Sequence, residues 1–127
     1  MNSVTSKLAR IDLAKARNGE IALPQVTHIA FGIGGHQVGD ITKPVAPTEN
    51  DVWLETEVLR VPVASKTRVN DTAVRYAVSI TGNQADGMAL TEALLIDGNG
   101  KWVAKKTFGA KTKESDVNMD FEWDEEF

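Results

Sequence analysis

Residues Met88–Phe108 read MALTEALLIDGNGKWVAKKTF. The segment Asp97-Gly98-Asn99-Gly100 lies between two runs rich in strand-forming residues, and its glycines and asparagine supply the positive φ angles that a tight hairpin turn requires. Both faces of the first run are largely apolar, which is typical of a strand covered on both sides. The stretch therefore predicts a β-hairpin inside a sheet.

Strict alternation assigns the side chains of this hairpin to faces. In the first strand, one face carries Met88, Leu90, Glu92, Leu94 and Ile96, and the other carries Ala89, Thr91, Ala93 and Leu95. In the second strand, one face carries Trp102, Ala104, Lys106 and Phe108.

Further strands are predicted on both sides of the hairpin. Ala73–Thr81 alternates apolar and polar residues, and Val26–Phe31 does so less regularly. Arg60–Ser65 contains Pro62, which cannot donate to a ladder and so indicates an edge strand. The C-terminal DVNMDFEWDEEF alternates most strictly: Val117, Met119, Phe121 and Trp123 lie opposite Asn118, Asp120, Glu122 and Asp124.

Two segments predict helices. In Ser3–Arg17 the residues Val4, Leu8, Ile11 and Ala14 recur at helical spacing, and Asn18-Gly19 provides a stop. Thr48–Asp51 resembles a capping box, which predicts a second helix from Thr48 to about Leu59 with Glu57 and Arg60 paired on its surface.

These elements predict a single α+β domain over residues 1–127. Its antiparallel sheet of about five strands would carry the N-terminal helix and the second helix packed on it. Between Gly32 and Pro47 lie four glycines and two prolines, which predicts an exposed loop at 32–47.

The composition restricts the classes of function. The net charge of −4 argues against nucleic acid as a partner, because phosphate binding needs clustered Lys and Arg. The chain has no cysteine and therefore no thiol nucleophile. No apolar run approaches the roughly 20 residues of a membrane span, and the polar start MNSVTSK lacks the apolar core of a secretory signal. We expect a protein made and kept in soluble form, without membrane insertion.

No pattern in the sequence predicts a catalytic, cofactor or metal site. His28 and His36 with Asp40 are a conceivable metal set, but their spacing matches no common ligand pattern, and one strand histidine and one solvated loop histidine are the simpler interpretation. The glycines of Phe31–Gly35 are not followed by the helix that a dinucleotide site needs. The carboxylates Asp120, Glu122 and Asp124 line one strand face instead of converging in a cleft. We therefore expect no enzyme and no cofactor.

Three blocks of the sequence resemble a known family. Glu92–Ala104 (EALLIDGNGKWVA) is similar to the signature hairpin of the phage tail-collar fibre N-terminal domain. Thr27–Gly34 resembles that family's early strand ending in a GxG turn, and Leu54–Val63 resembles its NEVxRxPI-like junction. The family usually continues into a fibre shaft, whereas this chain stops at Phe127, which favours an adaptor.

The resemblance implies a structural protein of a phage tail or tail-like particle, a virion component assembled in the host cytoplasm. It would attach or adapt a fibre at the baseplate or tail tip and contact other tail, baseplate or fibre proteins. Particle symmetry favours a homo-oligomer such as a trimer. The candidate interface comprises the basic helix face, the glycine loop and the acidic C-terminal end: Lys7, Arg10, Gly34, Gly35, His36, Glu125, Glu126 and Phe127.

The alternative is a carbohydrate-binding module that contacts the host surface. Trp53, Tyr76 or Trp123 would then form an exposed stacking platform. Buried tryptophans would instead favour assembly.

Overall fold

A computed structural model describes residues 2–127. These residues form one helix, α1 (Lys7–Arg17), and ten strands: β1 (Asn2–Thr5), β2 (Val26–Gly32), β3 (His36–Gln37), β4 (Asp40–Pro44), β5 (Glu57–Pro62), β6 (Ser65–Asn70), β7 (Ala73–Ile80), β8 (Ala89–Asp97), β9 (Trp102–Thr112) and β10 (Met119–Glu126). Strands account for 52% of the chain and the helix for 9%. The predicted α+β class with two helices packed on one sheet is therefore wrong, and the protein is mostly β.

The strands form three antiparallel sheets within the described residues. One has five strands in the order β1-β9-β8-β2-β5, one has three in the order β10-β7-β6, and β3 pairs with β4. Buried residues of the two larger sheets belong to one apolar cluster, in which Phe31 and Phe121 meet edge to face with ring centroids 5.0 Å apart. The two sheets therefore pack face to face as a sandwich.

The predicted hairpin is confirmed as β8 and β9. Its turn is closed by two backbone bonds, from the Asp97 amide to the Lys101 carbonyl at 2.9 Å and from the Gly100 amide to the Asp97 carbonyl at 3.0 Å. Gly100 has a φ of +78°, which glycine adopts without strain. Since β8 lies third in the five-stranded order, the hairpin is central, as predicted.

The predicted faces of the hairpin are only partly right. Glu92, Leu94 and Ile96 share a face, but Leu90 lies with Leu95 in the core between the sheets. The pairing of β8 with β9 shifts register between Leu90 and Glu92 and again between Leu95 and Ile96. The first shift separates the face of Leu90 from that of Glu92. The second shift lies on β9, where Trp102 packs with Leu94 and Ile96 while Ala104 and Phe108 lie in the core between the sheets, so the predicted common face of Trp102, Ala104 and Phe108 is wrong.

The second predicted helix is wrong. Thr48–Asp51 forms a turn, in which the Thr48 hydroxyl and amide donate to the Asp51 carboxylate at 2.7 and 3.2 Å. The segment after it is irregular and leads into β5. The amides of Glu55 and Thr56, which a helix would bond to preceding carbonyls, donate to the carboxylate of Glu92. Tertiary bonding therefore replaces the local helix.

The first helix is shorter than predicted and oriented differently. Asn2–Thr5 pairs with β9, and Ser6 caps the helix by accepting from the Ala9 amide at 2.9 Å. The predicted stop at Asn18-Gly19 is confirmed, with Gly19 at a φ of +76°. The apolar residues Leu8 and Ile11 remain 44% and 42% exposed, whereas the polar residue Asp12 is buried.

Three other predicted strands are confirmed with small changes of boundary, as β2, β7 and β10. The strand predicted at Arg60–Ser65 is displaced, since β5 ends at Pro62, and β6 was not predicted. β7 and β10 bury alternate side chains as expected, and β5, which contains Pro62, lies at the edge of the five-stranded sheet. Glu57 and Arg60 do pair, with Arg60 Nε 3.2 Å from Glu57 Oε2, but on this strand and not on a helix. The predicted loop at 32–47 contains the short β3–β4 hairpin.

Replacing Phe121 by alanine should lower the free energy of unfolding by about 3–5 kcal/mol, because it removes a ring that packs on Phe31 and Phe108 between the sheets. Chemical denaturation measures the change. Val117→Ala, at a position 52% exposed just before the same strand, is the control and should shift stability by no more than about 0.5 kcal/mol. Equal losses in both variants would contradict the assigned core.

Candidate functional site

The carboxylate of Glu92 joins three separate segments of the chain. Its Oε2 accepts hydrogen bonds from the amides of Gly34 and Thr56, and its Oε1 accepts one from the amide of Glu55, all at 2.9 Å. The side chain is completely buried. Hydrogen bonds from amides replace the water that a buried carboxylate loses. The carboxylate therefore holds two loops in place by hydrogen bonds and is not accessible to a substrate.

The glycines of the 32–35 turn allow this close approach. A Cβ at Gly32 would overlap the Glu92 carboxylate, and a Cβ at Gly34 would lie 2.6 Å from the Glu55 Cβ. The Thr91 hydroxyl also donates to the Gly34 carbonyl at 2.5 Å. The glycine pattern that superficially suggests a dinucleotide turn instead wraps a buried glutamate.

The predicted interface residues of the N-terminal half lie in different environments. Lys7 is exposed on α1, and Arg10 is exposed beside Glu49, with which it forms an ion pair. His36 is half-buried, whereas Gly34 and Gly35 are buried. Direct contact with a partner is thus open to the helix residues but not to these two glycines.

The two ring nitrogens of His36 both lie near carbonyl oxygens. Nδ1 is 2.8 Å from the Gln37 carbonyl oxygen and Nε2 is 3.0 Å from that of Ile33. The protonated ring can donate to both, and the bond to Gln37 is the main cause that raises the pKa of His36. Asp40 is engaged with Thr42. Within residues 2–127 no group of three or more His, Asp or Glu side chains is arranged to hold a metal ion.

The predicted acidic end of the chain divides between two environments. Glu126 and Phe127 are exposed, but Glu125 is only 9% exposed and faces the interior with Phe121 and Trp123. The strict alternation of β10 contained this signal, since residue 125 is in phase with 121 and 123. The acidic residues on either side of Glu125 made the whole end of the chain look exposed in the sequence.

Glu125 is paired with Tyr76 across β10 and β7. The Tyr76 hydroxyl donates to Glu125 Oε1 at 2.8 Å. Burial raises the pKa of Glu125, against the opposing effect of this bond, and burial also raises the pKa of Tyr76. The pair lines a cavity of about 380 Å³ beside α1. Sequence reasoning did not find this pair as a site.

The three aromatic residues of the predicted sugar platform are not equally available. Tyr76 and Trp123 are 6% and 2% exposed. Trp53 is half-buried, its Nε1 donates to Glu57 at 2.7 Å, and the Arg60 guanidinium lies 5.4 Å from its ring centroid. Only Trp53 has a ring that a sugar could reach.

In the described part of the chain, no helix has both the length and the apolar content to cross a membrane.

No protein-family model matches this sequence, and no curated protein matches it significantly.

Replacing Glu92 by glutamine should destabilise the protein by about 3 kcal/mol. The glutamine amide would place a donor against backbone donors in a site closed to solvent, leaving a buried polar group unsatisfied. The free energy of unfolding from denaturant titration measures the loss. Glu122→Gln makes the same chemical change on the exposed face of β10 and should cost no more than about 0.5 kcal/mol; comparable losses would disprove the clamp.

The raised pKa of Glu125 gives stability a defined dependence on pH. The folded state binds this proton more tightly than the unfolded state, so the contribution of Glu125 is greatest below the ordinary glutamate pKa, about 4.3. It is lost as the pH rises through the folded pKa. Glu125→Gln should remove this part of the pH dependence of stability. The measurement is the change in the free energy of unfolding between acidic and neutral pH, compared between the variant and the wild type. Glu126→Gln should keep the pH dependence of the wild type. If Glu125→Gln also kept it, Glu125 would not be its source.

Proposed function

We propose that this chain is a structural protein of a phage tail or tail-like particle, which attaches or adapts a fibre at the baseplate or tail tip. The proposal starts from the resemblance of Thr27–Gly34, Leu54–Val63 and Glu92–Ala104 to the tail-collar fibre N-terminal domain. It places the protein in the virion after assembly in the host cytoplasm.

One observation carries the proposal furthest. The three blocks, which are distant in sequence, meet in space: β2 pairs with both β5 and β8, and Glu92 binds amides from the other two blocks. The residues that carry the resemblance are therefore those that fix the scaffold. A scaffold fixed by hydrogen bonds among these three blocks supports a role in assembly.

The exposed side of α1 is the contact surface that we propose. Leu8 and Ile11 are exposed one helical turn apart, close in sequence to the basic residues Lys7 and Arg10. Apolar residues within a basic rim suit a protein partner with an apolar patch and acidic surroundings. The partners would be other tail, baseplate or fibre proteins and further copies of this chain, with a homo-oligomer such as a trimer.

The carbohydrate-binding alternative has less support. Of the three aromatic residues in its platform, Tyr76 and Trp123 lie inside the sandwich core. A single half-buried tryptophan partly covered by arginine is a small stacking surface.

Locating the protein in purified particles tests the proposal directly. Labelled antibody and electron microscopy should place it at the tail tip or baseplate. Absence from the tail, together with monomeric behaviour at high concentration and glycan binding in solution, would overturn the proposal.

Introducing charge on α1 should weaken self-association. Each buried Leu or Ile contributes about 1.5–3 kcal/mol, so Leu8→Asp combined with Ile11→Asp should lower the association constant more than about tenfold. Sedimentation velocity over a range of concentrations measures it. Val117→Asp places one such charge at an exposed position in the loop before β10 and should associate like wild type. Unchanged association in the double variant would exclude this face.

A further inference from the structure

The cavity beside α1 is enclosed by several elements of the chain. It lies among the helix, the segment that leads into β2, β7, β9 and the C-terminal residues. Its volume of about 380 Å³ falls within the range of small-molecule sites, roughly 300–1,000 Å³. Most of its wall is apolar, and the apolar residues include Leu13, Leu23, Pro24, Val26, Val74 and Val103.

Glu125 is a buried polar residue in this wall with only one of its two carboxylate oxygens hydrogen-bonded within the described residues. The side chain is 91% buried, and Tyr76 occupies its Oε1. Its Oε2 has no hydrogen-bond partner among the described residues, and it is not among the polar atoms sealed from solvent. An acceptor in this position is ready for a donor from a ligand.

Apart from Glu126, the other charged groups around the cavity already have partners. Asp97 accepts from the amides of Asn99 and Lys101 in the hairpin turn. Asp12 lies 3.5 Å from Lys101 Nζ, and Lys66 Nζ donates to Gln25 at 3.1 Å.

The cavity also carries more acidic than basic groups. Arg10 pairs with Glu49, and Glu126 adds a further acidic group at the exposed end. The lining thus holds four carboxylates, Asp12, Asp97, Glu125 and Glu126, and two basic side chains, Arg10 and Lys66. The balance favours a cation.

We propose that this cavity binds a small apolar amine in its protonated form. The ammonium group would donate to Oε2 of Glu125, and the hydrocarbon part would fill the space lined by valine and leucine. A neutral molecule of the same shape would lack the opposite charge, and an anionic one would be repelled by the carboxylate. This site goes beyond assembly, and its test does not depend on the particle.

Titration of the full chain with 2-phenylethylamine tests the site. Amide NMR shifts should concentrate at Val26, Val74 and Val103, which line the cavity. The amine should bind about tenfold or more tightly than 2-phenylethanol, which has the same ring and no charge, because both can donate to the carboxylate but only the ammonium also carries the opposite charge. The anionic 3-phenylpropionate should bind more weakly still.

Matched variants distinguish the buried carboxylate from general surface charge. Glu125→Gln keeps an acceptor for Tyr76 but should abolish the preference for amine over alcohol. Glu122→Gln removes the same charge from an exposed position of β10 outside the cavity and should retain that preference. Leu13→Trp, at a position 42% exposed on α1, should fill the cavity and block both compounds without loss of fold, checked by circular dichroism.

Several results would overturn the proposal. These are equal affinity for amine and alcohol in the wild type, loss of preference in Glu122→Gln, and NMR shifts confined to residues outside the cavity. Absence of amine binding at millimolar concentration by wild-type protein would also reject it. None of these results bears on the location of the protein in a tail.

Discussion

The structure depends on one buried carboxylate that is fully hydrogen-bonded. Glu92 in the central strand accepts hydrogen bonds from three amides in two loops, and a carboxylate buried without such donors would destabilise the fold. The same hydrogen bonds fix the glycine turn after β2 and the segment before β5. These are the two strands that follow β8 in the order of the sheet. The requirement for close backbone approach also explains why glycine stands at 32 and 34.

The central sheet is covered on both faces by different means. On one face the three-stranded sheet supplies aromatic and aliphatic side chains to a common core. On the other, the irregular segment before β5 buries Leu54 against the sheet, and buried Lys105 holds it by bonds to the Asp51 carboxylate and the Trp53 carbonyl. A paired, hydrogen-bonded lysine is tolerated there because its charge is compensated. This arrangement leaves α1 at the margin, with its apolar residues exposed.

Two kinds of surface follow from this architecture. The outer side of α1 presents the exposed apolar residues Leu8 and Ile11 close to Lys7 and Arg10, and this is the surface that we propose contacts other proteins. The inner side of α1 helps to enclose a cavity that contains the partly unpaired Glu125. The first suits assembly and the second suits a small cation, so one short helix separates two proposed binding roles. Both depend on the strand pairing that positions β1 and the N-cap Ser6 against β9.

The sequence by itself determined those features that depend on neighbouring residues. The Asp97–Gly100 turn, the helix stop at Asn18-Gly19 and the alternation of β10 follow from local φ preferences and period-2 burial. Only the tertiary structure decided that Thr48–Leu59 is not a helix, because its amides find a better acceptor in a distant glutamate. It also decided which faces Leu90 and Trp102 take, through irregular pairing that alternation cannot reveal. The proposed binding site could be predicted only in part from the sequence. The phase of β10 places Glu125 inward, but its contact with Tyr76 depends on how the strands pair.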